Sequence, residues 1–116
     1  MPASGRWLDA GTPTPIPLQV ARQLEGQSFK TFPELRDAIW QTIAKDPELN
    51  SGFGLKSLQQ MESGYAPFAP RAFQNDAFGM RFNLHHVQPI GGGGAVYDLS
   101  NLRIVSPKMH YGLHYE

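Results

Sequence analysis

The chain has 116 residues, 41% hydrophobic and 17% charged, with Lys+Arg and Asp+Glu balanced at 10 each and no cysteine. That length suits one domain with a modest core. The composition excludes disulfides and thiolate metal sites, and it lacks the basic surplus that usually marks a phosphate-binding surface.

Residues 1–16 are rich in Pro, Gly and Thr and read as an irregular arm, pinned to the body by Trp7 and Leu8. Met1-Pro-Ala-Ser-Gly5 has no signal-peptide pattern, which fits a cytosolic protein or a domain cut from a longer chain. No apolar run approaches the length of a membrane span. Pro17 suits the first helical position, and Leu18, Ala21 and Leu24 share a face until Gly26 ends the helix. Thr31 followed by Glu34 is a capping box, and Leu35, Ala38, Ile39 and Ile43, widened by Trp40, give a helical stripe running towards Asp46-Pro47. A shorter helix is predicted around Leu55–Met61, so residues 17–63 form a helical frame. Residues 64–79, opening on Tyr65-Ala-Pro-Phe-Ala-Pro70, read as a loop.

From residue 80 the period changes. Met80–His86 alternates as a strand does, Gln88–Gly94 with its four glycines is a loop, and Val96-Tyr97 and Leu102–Val105 read as returning strand. Ser106 is a predicted N-cap with Pro107 at the first helical position, so a helix of only about nine residues follows, a length marginal in water by itself. The fold class is therefore α+β, a helical N-terminal frame with a C-terminal strand–strand–helix unit over residues 80–116. All four histidines lie in that unit. His110 and His114 stand at i and i+4, so both rings leave one helix face, a common way of offering two imidazoles to one ion. The strand pair His85-His86 offers a third ligand and leaves one imidazole for acid–base chemistry. An ion clamping His110 and His114 would also brace the short helix.

The order strand with His-His, loop, strand with Asn101, helix with His-x-x-x-His resembles the ββα-metal motif of HNH endonucleases. Phe82–Ile90, Gly93–Arg103 and Ser106–His114 are similar to segments of the cytotoxic DNase domains of colicins and S-type pyocins. So are Trp7-Leu-Asp9, Pro15-Ile-Pro17, Phe29–Phe32, Lys45–Leu49 and Gly64–Phe68, and the resemblance covers nearly the whole chain. It implies that His85, His110 and His114 hold one divalent ion, that His86 is the general base, and that Asn101 fixes the loop bearing His86. Three imidazoles favour Zn²⁺ or Ni²⁺ for binding, with Mg²⁺ still open for turnover.

The same resemblance implies a largely sequence-nonspecific DNA endonuclease, the killing domain of a larger bacteriocin. Such a toxin is released by its producer and acts in the cytoplasm of the target cell. Its partners would be DNA and a cognate immunity protein gripping Tyr65 and Phe68, and the domain is expected to be a monomer without a membrane contact. Arg103, Lys108 and Arg6 are the candidate phosphate contacts. The family carries a Glu two residues before the paired histidines and an Arg four residues before that; here those places hold Asn83 and Gly79. Arg81 lies close by and joins His86 and Asn101 as a candidate catalytic residue. These departures remove charge, so DNA affinity is expected to weaken and its salt dependence to flatten. Two other readings follow: an HNH scaffold that keeps metal and partner with weakened hydrolysis, or a ribonuclease toxin.

Overall fold

In the computed structural model the described residues are 7–87 and 99–115, with His114 and Tyr115 described by backbone alone. Among the described residues, five α-helices and three short strands follow one another as β1 (Thr14–Pro15), α1 (Leu18–Leu24), α2 (Phe32–Lys45), α3 (Pro47–Asn50), α4 (Leu55–Glu62), β2 (Asn83–His86), β3 (Leu102–Val105) and α5 (Pro107–Tyr115). The α+β class expected from the periodicity change at residue 80 is the one observed. None of the described helices is long and apolar enough to cross a membrane.

Helix α2 organises the frame. The Thr31 hydroxyl accepts from the Glu34 N–H at 3.3 Å, and the Glu34 carboxylate accepts in return from the Lys30 N–H at 2.9 Å, one residue earlier than a standard capping box. Leu35, Ile39, Trp40, Ile43 and Ala44 then bury one stripe against Val20, Leu24, Leu49 and Met61. Each Leu, Ile, Val or Met side chain among these, moved from water into the core, contributes roughly 1.5–3 kcal/mol. The predicted end at Asp46-Pro47 is a joint rather than a stop, because the Asp46 carboxylate caps a further turn, α3, through the Glu48 N–H at 2.9 Å.

The strands form one antiparallel sheet in the order β1-β3-β2. Strand β1 corrects the reading of residues 1–16 as wholly irregular, since Thr14 and Pro15 pair with Ile104 and Arg103 of β3. The arm is otherwise tied down as expected: the Trp7 indole N–H donates to the Leu49 carbonyl at 3.0 Å, and its ring meets Phe53 edge-on at 6.4 Å. Predicted strand residues Met80–Phe82 lie outside the sheet; Arg81 makes an isolated bridge with Phe68. Val96-Tyr97 falls outside the described residues.

Pairing of β2 with β3 sets Leu84 opposite Ile104 and His86 opposite Leu102, and both β3 partners are fully buried in the core. The other sheet face carries Asn83 and His85, since residues two apart in a strand share a side. Helix α5 packs against β2. It starts where the sequence predicts: the buried Ser106 hydroxyl accepts from the Met109 N–H at 3.2 Å and donates to the Ala10 carbonyl at 2.9 Å.

Candidate active site

The two strand histidines are divided by the pleat. His85 leaves on the same side as Asn83, and its ring meets that of His110 on α5 with centres 5.4 Å apart and planes at 76°. His86 leaves on the opposite side, where its ring lies 5.1 Å from that of Phe32 at the start of α2. Just beyond β2 the Val87 N–H donates to the Asn101 carbonyl at 2.8 Å, so Asn101 closes the strand pair next to His86. His114 sits one turn beyond His110, and its side chain is outside the described residues.

His110 is held from two further directions. Asn83 Oδ1 lies 3.0 Å from His110 Nδ1. The Phe78 ring lies over the imidazole with centres 4.4 Å apart and planes at 33°. Phe78 is delivered by a tight turn in which Asn75 and Gly79 exchange backbone hydrogen bonds at 3.0 and 2.7 Å, while Asn75 Oδ1 accepts from the Ala77 and Phe78 N–H groups at 2.7 and 3.2 Å. Gly79 closes this turn at φ +94°, in the left-handed region where a side chain is strained.

A second cluster lies on the surface. Tyr65 and Phe68 are 59% and 44% exposed, unusually open for aromatic rings. The Arg81 guanidinium carbon lies 5.2 and 4.4 Å from their ring centres. Arg81 Nη1 also donates to Gln60 Oε1 at 2.9 Å and to the Ala66 carbonyl at 2.7 Å.

A family model for the Colicin/Pyocin-S2 DNase domain matches residues 1–116, the whole chain. The chain belongs to this family. Among curated relatives of this DNase domain, Colicin-E8 of Escherichia coli is 41% identical over 118 residues, covering 97% of this chain and 56% of that protein. Pyocin-S2 of Pseudomonas aeruginosa is 39% identical over 116 residues, covering 97% of this chain and 17% of that protein. The chain thus spans about half the length of the first, 56%, and a small part of the second. Two solved structures share the fold. The mutant nuclease domain of pyocin S8, bound to its cognate immunity protein, superposes with a TM-score of 0.89 at 41% identity, over 97% of this chain and 91% of that one. The DNase of the pyocin AP41 DNase–immunity complex superposes with a TM-score of 0.90 at 34% identity, over 98% and 91%.

Within this DNase domain the other predicted site residues are distributed as follows. Arg81, expected beside the catalytic histidines, has its guanidinium at the Tyr65–Phe68 patch instead, because Gln60, Ala66 and two rings all draw it there. Arg103 stands opposite His85 in register, and its Nη1 donates to the Ser100 and Leu102 carbonyls at 2.9 and 2.8 Å, bracing the turn before β3. Lys108 is exposed in the first turn of α5, its ammonium 5.8 Å from the Phe73 ring centre. Arg6 lies outside the described residues.

Among the described residues no three His, Cys, Asp or Glu side chains gather at a metal-binding spacing. The described pair nevertheless fits such a centre. Two imidazoles bound to one tetrahedral ion at about 2.0–2.1 Å have ring centres about 5 Å apart, close to the 5.4 Å between His85 and His110. Phe78 is the residue that sequence reasoning missed. Its only local signal was the Asn75…Gly79 turn pattern, and nothing in that pattern names the ring it meets.

Proposed function

We propose that this chain is the cytotoxic domain of a larger bacteriocin, a metal-dependent endonuclease that cuts DNA with little regard to sequence. The whole-length match to the DNase family supports the reaction class. The observation that carries the metal dependence is the approach of His85 and His110, brought from β2 and α5 to 5.4 Å at a steep mutual angle.

His85 and His110, with His114 one turn further along α5, would hold a single Zn²⁺ or Ni²⁺, as an all-imidazole donor set favours. When bound, the ion supplies charge relief at the phosphoryl oxygens and at the leaving 3′ oxygen. His86, kept off the ligand face by strand alternation, would accept the proton of the attacking water, and imidazole is the side chain best matched to proton exchange near neutrality. Asn101, whose main-chain carbonyl accepts from the Val87 N–H beside His86, would fix the loop bearing His86 through its side chain.

Tyr65 and Phe68 form the proposed contact with a cognate immunity protein. Exposed aromatic rings beside an arginine suit the centre of a protein interface, and both structural neighbours are nucleases in complex with immunity proteins. The Arg81 guanidinium lies against both rings. The parent toxin would be released by its producer and the domain would act in the target-cell cytoplasm.

Plasmid nicking by the wild type and His86→Ala, across Zn²⁺, Ni²⁺, Co²⁺ and Mg²⁺, tests the activity. Nicking by the wild type alone is expected. Equal rates for the two proteins would favour the binding-module reading, and faster loss of total RNA than of duplex DNA in parallel digests would favour a ribonuclease.

A further inference from the structure

Where the family pattern has an Arg/Glu couple, this chain has Gly79 and Asn83, and both replacements take part in one local arrangement. Asn83 uses both ends of its amide. Its Nδ2 donates to the Arg81 carbonyl at 3.0 Å, a group that can only accept. The amide orientation is thereby fixed, and the atom 3.0 Å from His110 Nδ1 is Oδ1, again an acceptor. A hydrogen bond there requires the proton to reside on Nδ1. The other ring nitrogen, Nε2, is then the one with a lone pair to donate.

The hydrogen bond fixes the tautomer and one direction of the ring, but leaves rotation about the axis through it. Phe78 removes that freedom, with its ring 4.4 Å from the imidazole and inclined by only 33°. Phe78 is half-buried and stands outside the main apolar core, where a phenylalanine would ordinarily be packed. Its other described ring partner is Tyr111, edge-on at 6.3 Å and also on α5. The turn that presents it depends on Gly79 at φ +94°, a conformation an arginine would resist.

We infer that Phe78 and Asn83 are a paired, uncharged positioning device for His110, which fixes its Nδ1–H tautomer and ring plane so that Nε2 is presented to the metal ion. This rests on the metal-dependent reading above, but concerns a different link. A ligand's partner for its second nitrogen commonly decides whether a metal site is pre-formed. Here that partner is neutral, so His110 is oriented without a carboxylate's added negative charge in the site.

The test uses the full chain. Long-range ¹H–¹⁵N spectra of the metal-free wild type should show His110 as the Nδ1–H tautomer, and Asn83→Leu should lose that preference. Zinc affinity, measured by competition with a chromophoric chelator, should fall about tenfold or more in Asn83→Leu. It should fall several-fold in Phe78→Leu and recover in Phe78→Tyr and in Asn83→Asp, each of which restores one contact. Circular dichroism of the apo-proteins should change little. An Nε2–H tautomer in the wild type, or zinc affinity within twofold of wild type in both Leu variants, would overturn the positioning role. Failure of the wild type to bind zinc at all would overturn the metal reading beneath it, and the tautomer measurement distinguishes the two failures.

Discussion

Ser106→Ala tests the coupling of the N-terminal arm to the helix that carries His110. Ser106 is fully buried, and its hydroxyl is engaged twice: it accepts from the Met109 N–H at 3.2 Å and donates to the Ala10 carbonyl at 2.9 Å, across 96 residues of chain. Removing an N-cap hydroxyl costs about 1 kcal/mol. Leaving the half-buried Ala10 carbonyl without its donor adds about 1 kcal/mol, the low end for an unsatisfied acceptor. The sum of about 2 kcal/mol should lower the melting temperature by about 8 °C for a domain of this size. Thermal and urea unfolding followed by circular dichroism in excess chelator would measure it without a contribution from bound metal. Ser106→Gly separates the two terms, since glycine keeps most of the capping preference while losing the Ala10 bond. It should fall between wild type and alanine. A loss below about 0.5 kcal/mol in Ser106→Ala, the range of an indifferent surface change, would refute the argument that this hydroxyl joins arm and helix.

Chelation should destabilise the metal-loaded protein: free Zn²⁺ at one hundred times its dissociation constant is worth about 2.7 kcal/mol, and His114→Ala should lose most of that increment, read as a melting temperature insensitive to chelator. Gly64→Ala should cost about 1–3 kcal/mol in urea unfolding, because Gly64 has φ +96° and a Cβ there would stand 2.9 Å from the Asp37 side chain; an unchanged midpoint would contradict the close approach of this loop to α2. Trp7→Phe removes the indole donor to the Leu49 carbonyl while keeping a ring against Phe53, and about 1–2 kcal/mol should be lost in the same measurement. Tyr65→Ala should weaken binding of the cognate immunity protein by about 2 kcal/mol, roughly 30-fold, if this ring is an interface anchor; calorimetry showing less than a threefold change would move the interface elsewhere.

Features specified by neighbouring residues were legible in the sequence. The Thr31 and Ser106 caps, Pro107 at the start of α5 and the apolar stripe of α2 all depend on contacts within a few positions, and each is present, whereas Pro17 stands one residue earlier than expected, as the extended N-cap of α1 rather than its first helical residue. Strand β1 was hidden because Thr14-Pro15 pairs with residues about ninety positions away, and a proline-rich arm carries no alternation to announce it. Helix α3 was hidden for a different reason: Pro47 both ends α2 and opens the next turn, and a reading that treats proline as a stop sees only the first role. The helical i,i+4 spacing put His110 and His114 on one helix face, yet could not say which strand histidine faces that helix. Strand parity sends His85 and His86 to opposite faces, and it is the His85 ring that His110 meets.

Asn83 shows most sharply what residue-by-residue comparison loses. Scored against a family glutamate, the amide is a missing charge, and Gly79 is a second one. Scored by hydrogen-bond capacity, Asn83 still supplies an acceptor to His110 Nδ1, and its own donor satisfies the Arg81 carbonyl, which a carboxylate would not do. Gly79 supplies the positive φ that turns Phe78 onto the same imidazole. Electrostatic attraction to DNA and orientation of a ligand are therefore separable properties of this site. The first depends on net charge and should be reduced in this chain, whereas the second depends on where one amide and one ring are held. Weak DNA affinity with firm metal binding is the expected combination, and salt-dependent binding measured beside zinc affinity would show the two moving independently.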